Sequence, residues 1–283
     1  MDQNSVLNEK AQLNEVIKTL KNVFKSFKTI EKLKPNDADA LEKLEKFLKE
    51  IPAPDILSRA LHENIDMAKK TVDEIKRNRL QSFKRIEAEY IRGLTAEGKS
   101  CREKAGGWRV GCLEIKTAPE LSKIKILYNG EELIKWQYVS SKDDIVALEK
   151  EALQMLDSQM IPEQELIEVF WDAYQQAVSR NTSTDSRLVL IKDFYKEVRI
   201  SLIRRYLESK NITAKLDKYV EFPLWAFLFN LDRYRALGKN IPENKRLVLQ
   251  TGSMQETSQG KGFVVNGLEP NEDYKMMCYV VAL

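Results

Sequence analysis

Apolar residues return every three or four positions through the first part of the chain, with Leu13, Ile17, Leu20, Phe24 and Phe27 in one stripe and Leu41, Leu44, Leu48 and Ile51 in a second. That spacing places each set on one face of a helix. Pro35 separates them, because a residue before proline is pushed out of the helical region and Asn36 or Asp37 can cap the second helix. Pro52 and Pro54 interrupt again. Leu61, Ile65, Ala68, Val72 and Ile75 then open a third helix that runs past Ala96 without an internal proline. About forty residues at 1.5 Å each span on the order of 60 Å. The eight-residue step from Ile75 to Phe83 resembles a stutter in a heptad pattern. The first two helices could cover much of the third, but its distal part, Phe83, Ile86 and Tyr90, has no evident cover within the chain. The pattern predicts a helical arm or coiled-coil bundle over residues 1–106.

Past Gly106-Gly107 the period drops from 3.6 to 2. Trp108, Val110, Cys112 and Glu114 alternate as one strand, and Lys123–Tyr128 reads as another. Asn129-Gly130 leads into the alternating run Leu133–Val139, a strong hairpin signal. Ser140 and Ser141 precede Asp143 and Asp144 at capping-box spacing, and Ile145, Leu148, Leu153 and Leu156 mark the helix they open. Pro162 opens a further helix through Phe170 and Ala177, a polar loop begins at Asn181, and another helix passes Phe194 and Ile203. A fourth, around Leu224, Trp225, Phe227, Leu228 and Leu231, is apolar on several faces and belongs in the core. Strand pattern returns at Leu247–Leu249, again at Phe263–Val265 after a Gly- and Ser-rich loop, and finally from Tyr274 to Ala282. The fold class expected is α+β, mostly helical. An N-terminal long-helix arm or bundle (1–106) precedes a compact domain (107–283) with an antiparallel β-meander, helices and a C-terminal β-hairpin.

Composition changes this picture little. Apolar residues make up 43% and charged ones 31%, and the net charge is only +3, so no polycationic field extends over the whole molecule. Cys101, Cys112 and Cys278 fit no C-x-x-C spacing, which argues against a disulfide framework or a cysteine zinc site. No signal-peptide pattern comes after Met1, and no apolar run reaches the length of a spanning helix. A cytoplasmic protein is expected, with no membrane partner.

Lys69, Lys70, Lys76, Arg77, Arg79, Lys84, Arg85 and Arg92 make the third helix locally basic and are its candidate phosphate contacts, although charges at helical spacing more often form a solvated, ion-paired face. Gly93, Gly98, Lys99 and Ser100 match the P-loop pattern G-x-x-x-x-G-K-[ST]. A P-loop comes after a buried strand and opens a helix, whereas Ile86–Arg92 reads as charged helix, so this match is expected to be a helix terminator rather than a nucleotide site. Glu114-Ile115-Lys116 matches the end of a metal-dependent nuclease signature, without an upstream acidic partner on a neighbouring strand. His62, the lone histidine, rules out most zinc and histidine-triad arrangements. Trp108, Trp136, Trp171 and Trp225 are expected as core anchors. No catalytic residue, metal or cofactor is expected. The reading that emerges is a non-catalytic interaction or adaptor subunit of a multiprotein assembly, docking through its long helices and its compact domain, with helical packing on itself or another protein. The first alternative is a nucleic-acid-associated protein that binds DNA or RNA through residues 69–104. The second is a nucleotide-binding enzyme or metal-dependent nuclease.

Overall fold

The computed structural model describes Lys25 and residues 59–180, 187–210, 221–267 and 275–283. The helices expected at 13–27 and 41–51 lie outside the described residues, apart from Lys25, which is helical and exposed. The protein is α+β, and its chain divides into two compact units: Met1–Glu97 with Thr117–Ile124 and Trp136–Ile145, and Gly98–Lys116 with Lys125–Lys135 and Val146–Leu283.

In the first unit the long helix α1 (Arg59–Ala96) buries one face through Val72, Phe83, Tyr90 and Leu94, spaced by eleven, seven and four. A 3-10 turn at Pro119–Leu121 packs against it. Phe83, Tyr90 and Leu94 are 0%, 2% and 4% exposed, so the distal part expected to lack cover is covered. Each such ring or aliphatic chain contributes about 2 kcal/mol when removed from water. The helix ends where Gly98 takes a φ of +69°, just after the Glu97 N–H bonds the Gly93 carbonyl at 3.1 Å.

Five antiparallel strands come next in sheet order: β1 (Cys101–Lys104), β2 (Gly107–Val110), β3 (Leu113–Ala118), β4 (Lys123–Tyr128) and β5 (Glu131–Tyr138). The expected single strand from Trp108 to Glu114 is two strands, because Gly111 turns the chain at φ +57° and Leu113 pairs back on Val110. The Ala105-Gly106 step joins β1 to β2, so the glycine pair marks a hairpin turn. Gly107 is required by contact, since a Cβ there would lie 1.9 Å from the Ile115 carbonyl oxygen. Asn129 and Gly130, at φ +50° and +82°, form the expected two-residue turn. Trp108 is buried as expected, but Trp136 is 41% exposed on β5, and Trp171 and Trp225 are half-buried. Helix α2 (Lys142–Ser158) comes after β5 in the chain.

In the second unit, α3 (Glu163–Arg180), α4 (Ile191–Lys210) and α5 (Leu224–Leu237) surround an aromatic core. Phe170 meets Phe194 edge-on at 5.3 Å and Tyr234 at 5.1 Å, and Phe227 lies 5.9 Å from Phe194. A four-stranded antiparallel sheet completes the unit, with β9 (Lys275–Ala282) pairing β6 (Val189–Leu190), β7 (Leu247–Thr251) and β8 (Phe263–Val265). β6 and a short helix α6 (Met254–Ser258) were not expected. Leu188–Ile191 reads as helix in sequence, and Ser253 with Glu256 forms a capping box inside the Gly- and Ser-rich loop.

Candidate functional site

The basic residues of α1 separate by burial. Lys69, Lys70, Arg77, Lys84, Arg85 and Arg92 are exposed, with Lys70, Arg77 and Lys84 seven residues apart and Arg85 and Arg92 likewise. Lys76 is half-buried and lies 3.6 Å from Glu120, while Arg79 is only 8% exposed. Between Arg77 and Arg92 the exposed ridge carries four cations and the single acid Glu89. Toward its N-terminal side the exposed acids Asp66, Asp73 and Glu74 balance it.

Gly93 sits within α1, Gly98 in the turn that ends it, and Lys99 and Ser100 on the exposed connection to β1. The order is therefore helix, turn, strand, the reverse of the strand, loop and helix that aims backbone amides at a phosphate. Lys99 Nζ lies 3.9 Å from Glu149. On β3, Lys116 Nζ lies 2.6 Å from Glu114 Oε1 and also donates to the Ala105 carbonyl at 3.1 Å, bracing the β1–β2 turn. Among the described residues, no group of three or more His, Cys, Asp or Glu side chains is placed to hold a metal ion. No described helix is long and apolar enough to cross a membrane.

A polar cluster unforeseen in the sequence sits where the β4–β5 turn meets α5. Asp232 accepts hydrogen bonds from the Tyr128 hydroxyl at 2.7 Å, Asn129 Nδ2 at 2.9 Å and Arg235 at 3.0 Å. Burial pushes the Asp232 carboxyl up despite those donors, and burial followed by the Asp232 charge pushes the Tyr128 hydroxyl up. Burial also raises the nearby Cys112 thiol. The cluster pins the hairpin on the helix, with Asp232 as acceptor for all three donors. Tyr128 and Asp232 are 104 positions apart, so no local motif announces it.

Helix α2 carries the clearest docking feature. Ser141 and Asp144 cap it reciprocally, the Asp144 carboxylate accepting from the Ser140 and Ser141 amides at 2.7 and 3.0 Å. The Ser140 amide foremost, with both serine hydroxyls and the Ser141 amide, holds the Asp144 carboxyl below the usual range. Ile145, Ala152 and Leu156 are buried, but Leu153, expected with them, is not. Val146 and Leu153 on α2, and Met160 two residues beyond its end, are 49%, 39% and 51% exposed and stand seven residues apart. Lys142, Asp143, Lys150 and Asp157 flank them on the surface. Met160 is fixed in place: Asn230, fully buried, accepts from the Ile161 N–H at 3.0 Å and donates to the Gln159 carbonyl at 2.8 Å. Arg233 adds a bond to the Ile161 carbonyl at 2.5 Å. A seven-residue count along 146–160 finds this stripe in the sequence, but Leu153 also fits the helical spacing of the core stripe beside it.

Compared with family models, curated proteins and solved structures, the chain matches none of them.

Proposed function

We propose that the protein is a non-catalytic interaction subunit that docks helix to helix on a protein partner. The exposed Val146 and Leu153 on α2, with Met160 just past its end, carry this reading. Apolar positions seven apart, flanked by charges of both signs, form the seam that a second helix packs against. Burying the exposed part of three such side chains is worth roughly 1 kcal/mol each, the scale of a reversible contact rather than a permanent interface. Affinity purification from the native host after nuclease treatment tests it. A protein retained by the wild type should be lost from a Val146→Glu, Leu153→Glu variant whose unfolding midpoint is unchanged. Retention of the same protein by the variant, or recovery of nucleic acid alone, overturns it.

The ridge of Arg77, Lys84, Arg85 and Arg92 supports a second reading, contact with the phosphates of DNA or RNA. Engaging these four cations would make log K fall against log[salt] with a slope of about −3 to −4. Replacing all four by Gln should remove binding and the slope together. No binding at low salt would exclude the reading.

A further inference from the structure

The C-terminal sheet is open along one short stretch of edge. Among the described residues, β9 is the only strand neighbour of β7. The Leu283 N–H donates to the Arg246 carbonyl at 3.0 Å. In an antiparallel ladder, bonded and non-bonded pairs alternate, so Val248 and Gln250 also turn their backbone groups toward β9, opposite Val281 and Tyr279. Leu247 and Leu249 turn theirs outward. The outward N–H of Leu247 is already taken by the Tyr234 hydroxyl at 3.1 Å, and this hydroxyl donates to the Lys245 carbonyl at 2.7 Å. Burial pushes Tyr234 up to about 12, so it remains a protonated donor. Among the described residues, no backbone group pairs with the Leu247 carbonyl or with either backbone group of Leu249.

Beside this edge runs a groove of about 380 Å³, with Tyr234, Lys239, Ile241, Arg246 and Met277 among its lining. Its charge is one-sided. Among the described residues, Arg235, Lys239 and Arg246 line it and no acid does. Arg235 is engaged by Asp232 at 3.0 Å and by the Asn266 carbonyl at 2.8 Å. Lys239 is exposed, Arg246 is half-buried, and Arg246 Nε is buried without a hydrogen-bond partner. Among the described residues no carboxylate pairs with either of these two.

We propose that this groove binds the C-terminal tail of a partner protein. The tail is an extended strand added antiparallel to β7, apolar at its last and third-last residues, with its terminal carboxylate on Arg246 and Lys239. Three observations converge on that occupant. Leu249 offers a donor and an acceptor at strand spacing, which an extended backbone satisfies and a hydrocarbon does not. Antiparallel addition, the more stable pairing, brings the C-terminus of the added strand to the N-terminal end of β7, beside Arg246. Because the Tyr234 hydroxyl already fills the Leu247 N–H, that amide has no place for a further peptide carbonyl. The added chain therefore ends opposite Leu247, beside Lys239 and Arg246, which no carboxylate among the described residues pairs. Its third-last residue exchanges both backbone bonds with Leu249, and its apolar side chains lie on Ile241, Leu247 and Met277.

Fluorescence anisotropy on the full chain tests this with a panel of fluorescein-labelled hexapeptides carrying Leu, Ile, Val or Phe at the last and third-last positions. Members with a free carboxylate should bind with micromolar Kd, and their C-terminal amides at least about tenfold more weakly, the loss expected for a charge-assisted bond. Methylating the peptide nitrogen of the third-last residue should weaken binding as much, a change that cannot unfold the protein. Lys239→Gln with Arg246→Gln should erase the preference for acid over amide. The proposal is overturned if no member binds at about 1 mM, or if acid, amide and N-methyl forms bind equally. It is also overturned if decanoate occupies the groove where every peptide fails, which would assign it to a small amphiphilic carboxylate. These outcomes leave the helix contact at Leu153 to its own test.

Discussion

Asp232 is a carboxylate placed where burial outweighs the three donors that hold it. Its proton is bound more tightly in the folded state than in the unfolded chain, so its contribution to stability falls as pH rises from the ordinary carboxylate range through the raised value. Tyr128→Phe removes one donor to the charged form. Urea unfolding above the raised value should show a loss of about 1.5–3 kcal/mol, the range for a hydrogen bond to a charged group, and the loss should shrink as pH falls through it. Glu256 has the opposite sign. The Tyr279 hydroxyl foremost, then the Ser253 amide and hydroxyl, hold its carboxyl down to about 2. The contribution of Glu256 is present above the ordinary glutamate range and is lost as pH falls toward 2. A carboxyl NMR titration should find Glu256 near 2, and Tyr279→Phe should return it toward roughly 4.3. An unchanged titration in the variant would detach the shift from the tyrosine.

Among elements, the hairpins show what a sequence discloses and what it hides. Asn129-Gly130 was legible because a two-residue turn with both φ positive selects those residue types. The α2 cap was legible for the same reason, a local bond pattern written in adjacent residues. Strand β1 was not, since Cys-Arg-Glu-Lys carries no alternation and is half-buried only at its ends. Nor was the role of Gly107, which is set by the Ile115 carbonyl on another strand. Gly107→Ala should therefore cost about 1–3 kcal/mol through overpacking, seen as a lower thermal midpoint. Gly106→Ala, with open space around its Cβ but a φ of +76°, should cost about 1 kcal/mol from backbone strain alone. Equal losses would show that the contact with Ile115 yields readily. The candidate sites were hidden for a related reason. The Asp232 cluster joins two hairpin residues to a helix more than a hundred positions away, and the groove cations acquire meaning only beside an open strand edge.

For the molecule as a whole, both compact units are assembled from separated stretches of chain, with β3, β4 and β5 each contributing residues to both. Such interleaving means that cutting the chain at the Gly106-Gly107 turn removes parts that the remainder requires. A fragment of residues 107–283 lacks α1 and β1, one of the two strands that pair β2. It should lose near-UV circular dichroism and melt below the intact chain; an unchanged cooperative transition would show that 107–283 folds alone. The Tyr234 hydroxyl has a further consequence at this scale. Uncapped sheet edges invite neighbouring molecules to add strand after strand, the route to fibrils. By occupying the Leu247 amide, one phenol limits the open run to the neighbourhood of Leu249, too short a template for another copy to zip along. Tyr234 thereby shortens the part of the β7 edge on which another copy could add a strand.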